Sequence, residues 1–231
     1  MKLLFVCTGN TCRSAMAEPL MRKRLQQAGL GGRVEVRSAG VAAMSGSPAS
    51  QGAINVLKAK GLDGAAHAAS PLDRELVDWA DLILTMGQSH KRAILERYIE
   101  ALDKTCTLKE FVDDDPQNLA ILDEMGALQA EAQMKQSLFL MERADEVQSI
   151  QERYQRGAQG AEQELMRLQQ QLEATVEAES SRMMELMGQL PDYEIADPFG
   201  GSQQVYDACA VEIDTLLAKL IQKLSAENHS A

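Results

Sequence analysis

Cysteine and histidine are scarce in this chain, long apolar runs are missing, and each shortage excludes a class of function. Nowhere in its 231 residues does an apolar stretch approach the ~20 needed to cross a bilayer, so no membrane partner is expected. The start of the chain lacks a basic region followed by a cleavable apolar one. Its apolar residues 3–6 run instead straight into a loop bearing Cys7 and Gly9. Four cysteines argue for a reducing compartment without structural disulfides, and the chain is read as cytoplasmic. The three histidines (His67, His90 and His229) show no metal-ligand spacing and are read as surface or loop residues, so neither a metal nor a cofactor is expected. A basic surplus is missing too. The net charge is −11, which argues against a nucleic-acid partner.

What is present begins at residue 7. Residues 1–6 read as a short buried strand and 16–28 as a helix, with Cys7-Thr8-Gly9-Asn10-Thr11-Cys12-Arg13-Ser14 between them. Five residues between Cys7 and Arg13 let the backbone curl so that its N–H groups point inward. The start of the next helix adds unpaired N–H donors and the positive end of its dipole. Donors that hold a phosphate also favour a thiolate. Arg13 can clamp two phosphoryl oxygens with its planar fork, and Ser14 can donate to the sulfur. A bare Cys-x5-Arg is a weak signal. Following an apolar strand, turning at Gly9 and opening a helix, it points to phosphoryl transfer.

These residues resemble the low-molecular-weight protein tyrosine phosphatase family. The resemblance extends to Met16-Ala17-Glu18, Arg37-Ser38-Ala39-Gly40, residues 80–86 and Asp197-Pro198-Phe199-Gly200, covering residues 1 to about 113 and about 195 to 225. It implies a phosphocysteine mechanism with Cys7 as nucleophile. Thr8, Gly9, Asn10, Thr11, Cys12, Arg13 and Ser14 would bind the phosphoryl group, and Asp197 would be the general acid, then the base. Asn10, Ser14 and Ser38 match positions that hold the loop in shape. In the family, Cys12 pairs with an oxidised nucleophile as a protective shutdown, so it is carried as a redox partner. Two departures stand out: Ala15 follows Ser14 where members usually have Pro, and a long insertion precedes Asp197.

Thr11 and Phe199 bear on substrate choice. Tyrosine-specific members typically have Ile at the position of Thr11 and further aromatics after the Asp-Pro. Thr11 and Asp197-Pro198-Phe199-Gly200-Gly201-Ser202 look instead like the protein-arginine phosphatase branch. The expected substrate is therefore a phosphorylated protein, phosphoarginine ahead of phosphotyrosine. Arsenate reduction would need a cysteine relay, and Cys106 and Cys209 lie far apart in the sequence. A coiled-coil adaptor carrying a dead phosphatase fold conflicts with the presence of Cys7, Arg13 and Asp197 together.

The expected fold is α/β, a doubly wound, four-stranded parallel sheet with helices on both faces. Strands are read at 2–7, 34–39, 82–86 and 106–108, with helices at 16–28, 50–60, 72–80, 89–98 and 203–224. This phosphatase domain would comprise residues 1–114 and 195–231, interrupted by an inserted helical hairpin at 115–194. The hairpin reads as two long helices, about 118–156 and 160–190, in an antiparallel, coiled-coil-like arrangement turning at Gly157 and Gly160. Seam candidates run from Leu122 to Tyr154 on the first helix and from Leu165 to Leu190 on the second. The hairpin carries a net charge of −10, against +2 for residues 1–114. Its expected role is dimerisation or docking of a protein partner.

Overall fold

Leu3, Leu4, Phe5 and Val6 form an uninterrupted apolar run, and all four are fully buried. Such a run suits a central strand of a parallel sheet covered on both faces. The computed structural model describes residues 1–227 and shows that sheet. Strand β1 (Lys2–Cys7) lies between β2 (Glu35–Gly40) and β3 (Leu82–Thr85), with β4 (Thr105–Thr107) outside β3. The order is β2-β1-β3-β4 and every pairing is parallel.

Alternation along β1 sends side chains to opposite faces. Leu3 and Phe5 join one core with Met16, Met21 and Leu25 of α1 (Arg13–Gln27), Leu57 of α2 (Gln51–Ala59) and Ile213, Leu217 and Leu220 of the last helix (Gln203–Glu227). Leu4 and Val6 join a second core with Val77 of α3 (Arg74–Trp79) and Ile94 of α4 (Gln88–Leu95). Neighbours leave β1 in both directions, so the crevice at its carboxyl end, where Cys7 lies, is the switch point at which open α/β sheets bind ligands.

Two short elements were not expected. A 3-10 turn occupies Ile99–Lys104, and α5 (Leu108–Val112) follows β4 directly. The latter starts on a reciprocal capping box between Thr107 and Glu110, which gives five residues a defined start.

Residues Asp114–Pro191 form a second compact unit, beside one made of Met1–Asp113 and the chain from Asp192 onward. Asp115 caps α6 (Pro116–Glu142) and Pro116 occupies its first turn. Each of the two long helices expected here is interrupted once. The first divides at Arg143 into α6 and α7 (Ala144–Gln155). The second divides at Val176 into α8 (Ala161–Thr175) and α9 (Glu177–Met187), and α10 is the last helix named above. At the second break Thr175 Oγ1 donates to the Gln171 carbonyl at 2.7 Å, a back-bond that bends helices. Gly157 and Gly160 turn the chain in left-handed conformation, φ 71 and 87. The buried seam includes Ala132, Phe139, Ile150, Leu168 and Val176, as the periodicity predicts. Tyr154 and Met187 are exposed instead, whereas Ile121 and Leu186 are buried.

Candidate active site

The loop from Cys7 to Ser14 closes around its own backbone because Asn10 adopts a left-handed conformation, φ 54. Among the described residues it is the only non-glycine with positive φ, and Asn tolerates that region better than most residues. Every polar atom of its side chain is used. Asn10 Oδ1 accepts from Ser70 N–H at 2.8 Å, and Nδ2 donates to Ser14 Oγ and Ser38 Oγ, each at 2.9 Å. Ser38 in turn donates to the Glu18 carboxylate. Asn10 donates into Ser14 Oγ, and the single Ser14 proton has two acceptors within reach, Cys7 Sγ at 3.0 Å and the Ala39 carbonyl at 3.4 Å. Ser14 thus contacts the sulfur, Asn10 and the end of β2 together. Helix α1 begins at Cys12 without a side-chain cap, leaving its first-turn N–H groups available to an anion.

Arg13 is 5% exposed and fixed from below. Nη1 donates to the Ile195 carbonyl at 3.0 Å and Nη2 pairs with Asp197 Oδ2 at 2.7 Å. Nε is buried with no hydrogen-bond partner among the described residues, a donor left for an incoming oxygen. Asp197 also accepts from Phe199 N–H at 3.2 Å, a turn that sets its carboxylate beside the loop. Cys7, Thr8, Gly9, Thr11, Cys12, Arg13, Asp197 and Phe199 line one cavity of about 230 Å³. Asn10, Ser14 and Ser38 lie behind it.

Residues 2–156 match the low molecular weight phosphotyrosine protein phosphatase family. The chain belongs to that family. It is a cysteine-dependent phosphoprotein phosphatase. The phosphatase is 51% identical to a protein-arginine-phosphatase of Geobacillus stearothermophilus over 119 residues, 52% of this chain and 76% of that one. It is 40% identical to a probable low molecular weight protein-tyrosine-phosphatase, EpsP, of Ralstonia solanacearum over 133 residues, 55% and 88% of the two chains. Among solved structures, the YwlE arginine phosphatase from Geobacillus stearothermophilus aligns with a TM-score of 0.62 at 33% identity, covering 99% of this chain and 96% of that one.

Several contacts in the phosphatase lie outside the motifs. His67 Nε2 donates to the Asn10 carbonyl at 2.6 Å, and His90 Nε2 lies 2.9 Å from Thr8 Oγ1. The sequence reads both as surface or loop residues; in the structure His67 is half-buried and His90 is 3% exposed. His229 falls outside the described residues. Burial, and then the Arg13 guanidinium, hold the His90 imidazole below its ordinary 6.5. Cys12 Sγ is 3.4 Å from both Ser50 Oγ and Tyr206 Oη, and Gly52 leaves the space that the Tyr206 ring fills. No local pattern signals these partners, which lie 38 to 194 residues away. Burial pushes the Cys106 and Cys209 thiols up to about 12, so both stay protonated and are poor candidates for a thiol relay.

Proposed function

We propose that this phosphatase hydrolyses phosphoarginine in proteins, with Cys7, Arg13 and Asp197 as its catalytic residues. The observation that carries the substrate is the wall of the cavity. Thr11 stands where an aliphatic side chain would complete an apolar slot, and Phe199 is the one aromatic lining residue, 75% exposed. A short hydroxyl and an open rim suit a planar, polar guanidine better than a phenol ring. The arginine-phosphatase relatives support the same reading.

In the first step Cys7 Sγ attacks phosphorus in line. The S–P bond forms as the P–N bond breaks, and Asp197 gives its proton to the departing guanidine nitrogen. Arg13 holds equatorial oxygens through Nε and Nη2, exchanging its Asp197 contact for the phosphoryl group. In the second step Asp197 takes a proton from water, the water oxygen bonds to phosphorus and the S–P bond breaks. Ser14 donates to the sulfur that leaves. The products are arginine and inorganic phosphate. Thr11→Ile is expected to lower the phosphoarginine-to-phosphotyrosine ratio of kcat/KM at least tenfold, about 1.4 kcal/mol. An unchanged ratio removes Thr11 from the argument.

Two further readings accompany this one. Oxidation of Cys7 to a sulfenic acid would let the Cys12 thiol attack it, releasing water and storing the site as a reversible disulfide. Peptide mapping after peroxide is expected to find Cys7 joined to Cys12; only sulfinic or sulfonic Cys7 contradicts it. The helical arm, exposing Met134, Met141 and Met184, offers an adaptable surface for a second protein chain.

A further inference from the structure

The segment carrying Asp197 has to be held against the phosphate loop. Two of its ties are Arg13 on the Ile195 carbonyl, at 3.0 Å, and Ile195 N–H on the Met86 carbonyl, also at 3.0 Å. A third tie has so far no part in the chemistry. Helix α4 begins at Gly87 with no side-chain cap of its own, which would leave its first-turn donors open. The Glu194 carboxylate supplies the missing acceptor. Its Oε1 accepts from Gln88 N–H at 2.5 Å, across 106 residues of sequence, and a negative charge is favoured at that end of a helix.

Gly87 is shaped around this contact. Its φ of 171 is extended backbone that any residue adopts, so its conformation does not call for glycine. Space does: a Cβ at Gly87 would overlap the Glu194 carboxylate. The other end of Glu194 is fixed as well, because Lys109 Nζ donates to its carbonyl at 2.6 Å while pairing with Glu212. Glu194 therefore pins the chain three residues before Asp197, on a helix whose His90 touches Thr8 of the phosphate loop.

We propose that Glu194 is the positioning residue of the acid segment. Its carboxylate, lent to α4 as a helix cap, holds Asp197 where it can protonate the leaving group. The inference rests on the reading of Asp197 as the general acid, and the test separates the two. Phenyl phosphate, whose phenol has an acidity near that of tyrosine, about 10, needs an acid to leave. Dinitrophenyl phosphate releases dinitrophenolate, a stable anion that needs no proton to leave.

Steady-state kinetics of the full chain on both esters should show a selective loss. Asp197→Asn and Glu194→Ala are each expected to lose at least about tenfold in kcat/KM on phenyl phosphate and less than about twofold on the dinitrophenyl ester. Gly87→Ala, which expels the carboxylate, should reproduce that pattern, and adding Glu194→Ala to it should bring no further loss. A Glu194→Ala enzyme that loses equally on both esters, or on neither, while Asp197→Asn stays selective, overturns the positioning role. Losses from Gly87→Ala and Glu194→Ala that multiply overturn it too. An Asp197→Asn enzyme with no selectivity fails the acid assignment instead.

Discussion

Asn10 combines an unfavourable backbone with a fully bonded side chain, and that combination makes it the residue on which the loop depends. Alanine in its place would keep φ near 54 at about 1–2 kcal/mol and leave Ser70 N–H, Ser14 and Ser38 without their partner. Asn10→Ala is expected to lose about 3 kcal/mol or more in urea unfolding. His90 gives a pH dependence with a definite sign. Its folded value lies below the 6.5 of a free imidazole, chiefly through burial and then through Arg13, against opposing pulls from Glu194 and Asp197. Above 6.5 the imidazole is neutral in both folded and unfolded chains. As pH falls below 6.5, the unfolded chain takes up a proton that the folded one resists, so stability falls until the folded value is reached. The fall in Tm between pH 6.5 and 5.5 should be shallower in His90→Gln than in the parent; equal slopes would remove His90 as its source. Neither histidine contact could be read from sequence, because each joins the loop to a residue more than fifty positions away.

At the scale of elements, the strand–loop–helix unit around Cys7–Ser14 is legible in the sequence because its parts are contiguous. The alternation of strands and helices is legible for the same reason, with no boundary moved by more than three residues. What local pattern could not carry is the close approach of distant backbone. Gly40, at the end of β2, meets the Thr8 carbonyl and the Asn10 N–H, and a Cβ there would stand 2.5 and 2.8 Å from those atoms. Gly40→Ala is therefore expected to push on the phosphate loop itself, lowering stability by about 1–3 kcal/mol and kcat/KM by at least tenfold. Unaltered kinetics would show that the loop yields to the methyl group without losing its shape. The divided arm helices escaped the sequence reading for another reason. Interruptions at Arg143 and Val176 follow no glycine or proline, and only the folded backbone reveals them.

For the whole molecule, the question is what an acidic helical unit adds to a complete phosphatase. The chain leaves the phosphatase unit after Asp113 and re-enters it at Asp192, and Tyr193 Oη donates to Asp113 Oδ2 at 2.6 Å, a bond within that unit that joins the two ends of the insertion. Replacing 114–191 by a short linker is expected to leave kcat/KM on small phosphoesters within about twofold. If the arm binds a second chain, the same deletion should convert a larger species into a monomer by light scattering or abolish a protein complex. A parent that is already monomeric, with unchanged activity on protein substrates after deletion, contradicts that role. In the phosphoarginine reading, substrate choice lies in the cavity rather than in the arm. Matched phosphoarginine and phosphotyrosine peptides, measured as kcat/KM with Cys7→Ser as the blank, test it most directly. A preference of at least tenfold for phosphoarginine, about 1.4 kcal/mol in transition-state binding, is the predicted result. The reverse preference would contradict it and make this a tyrosine phosphatase with threonine in its loop.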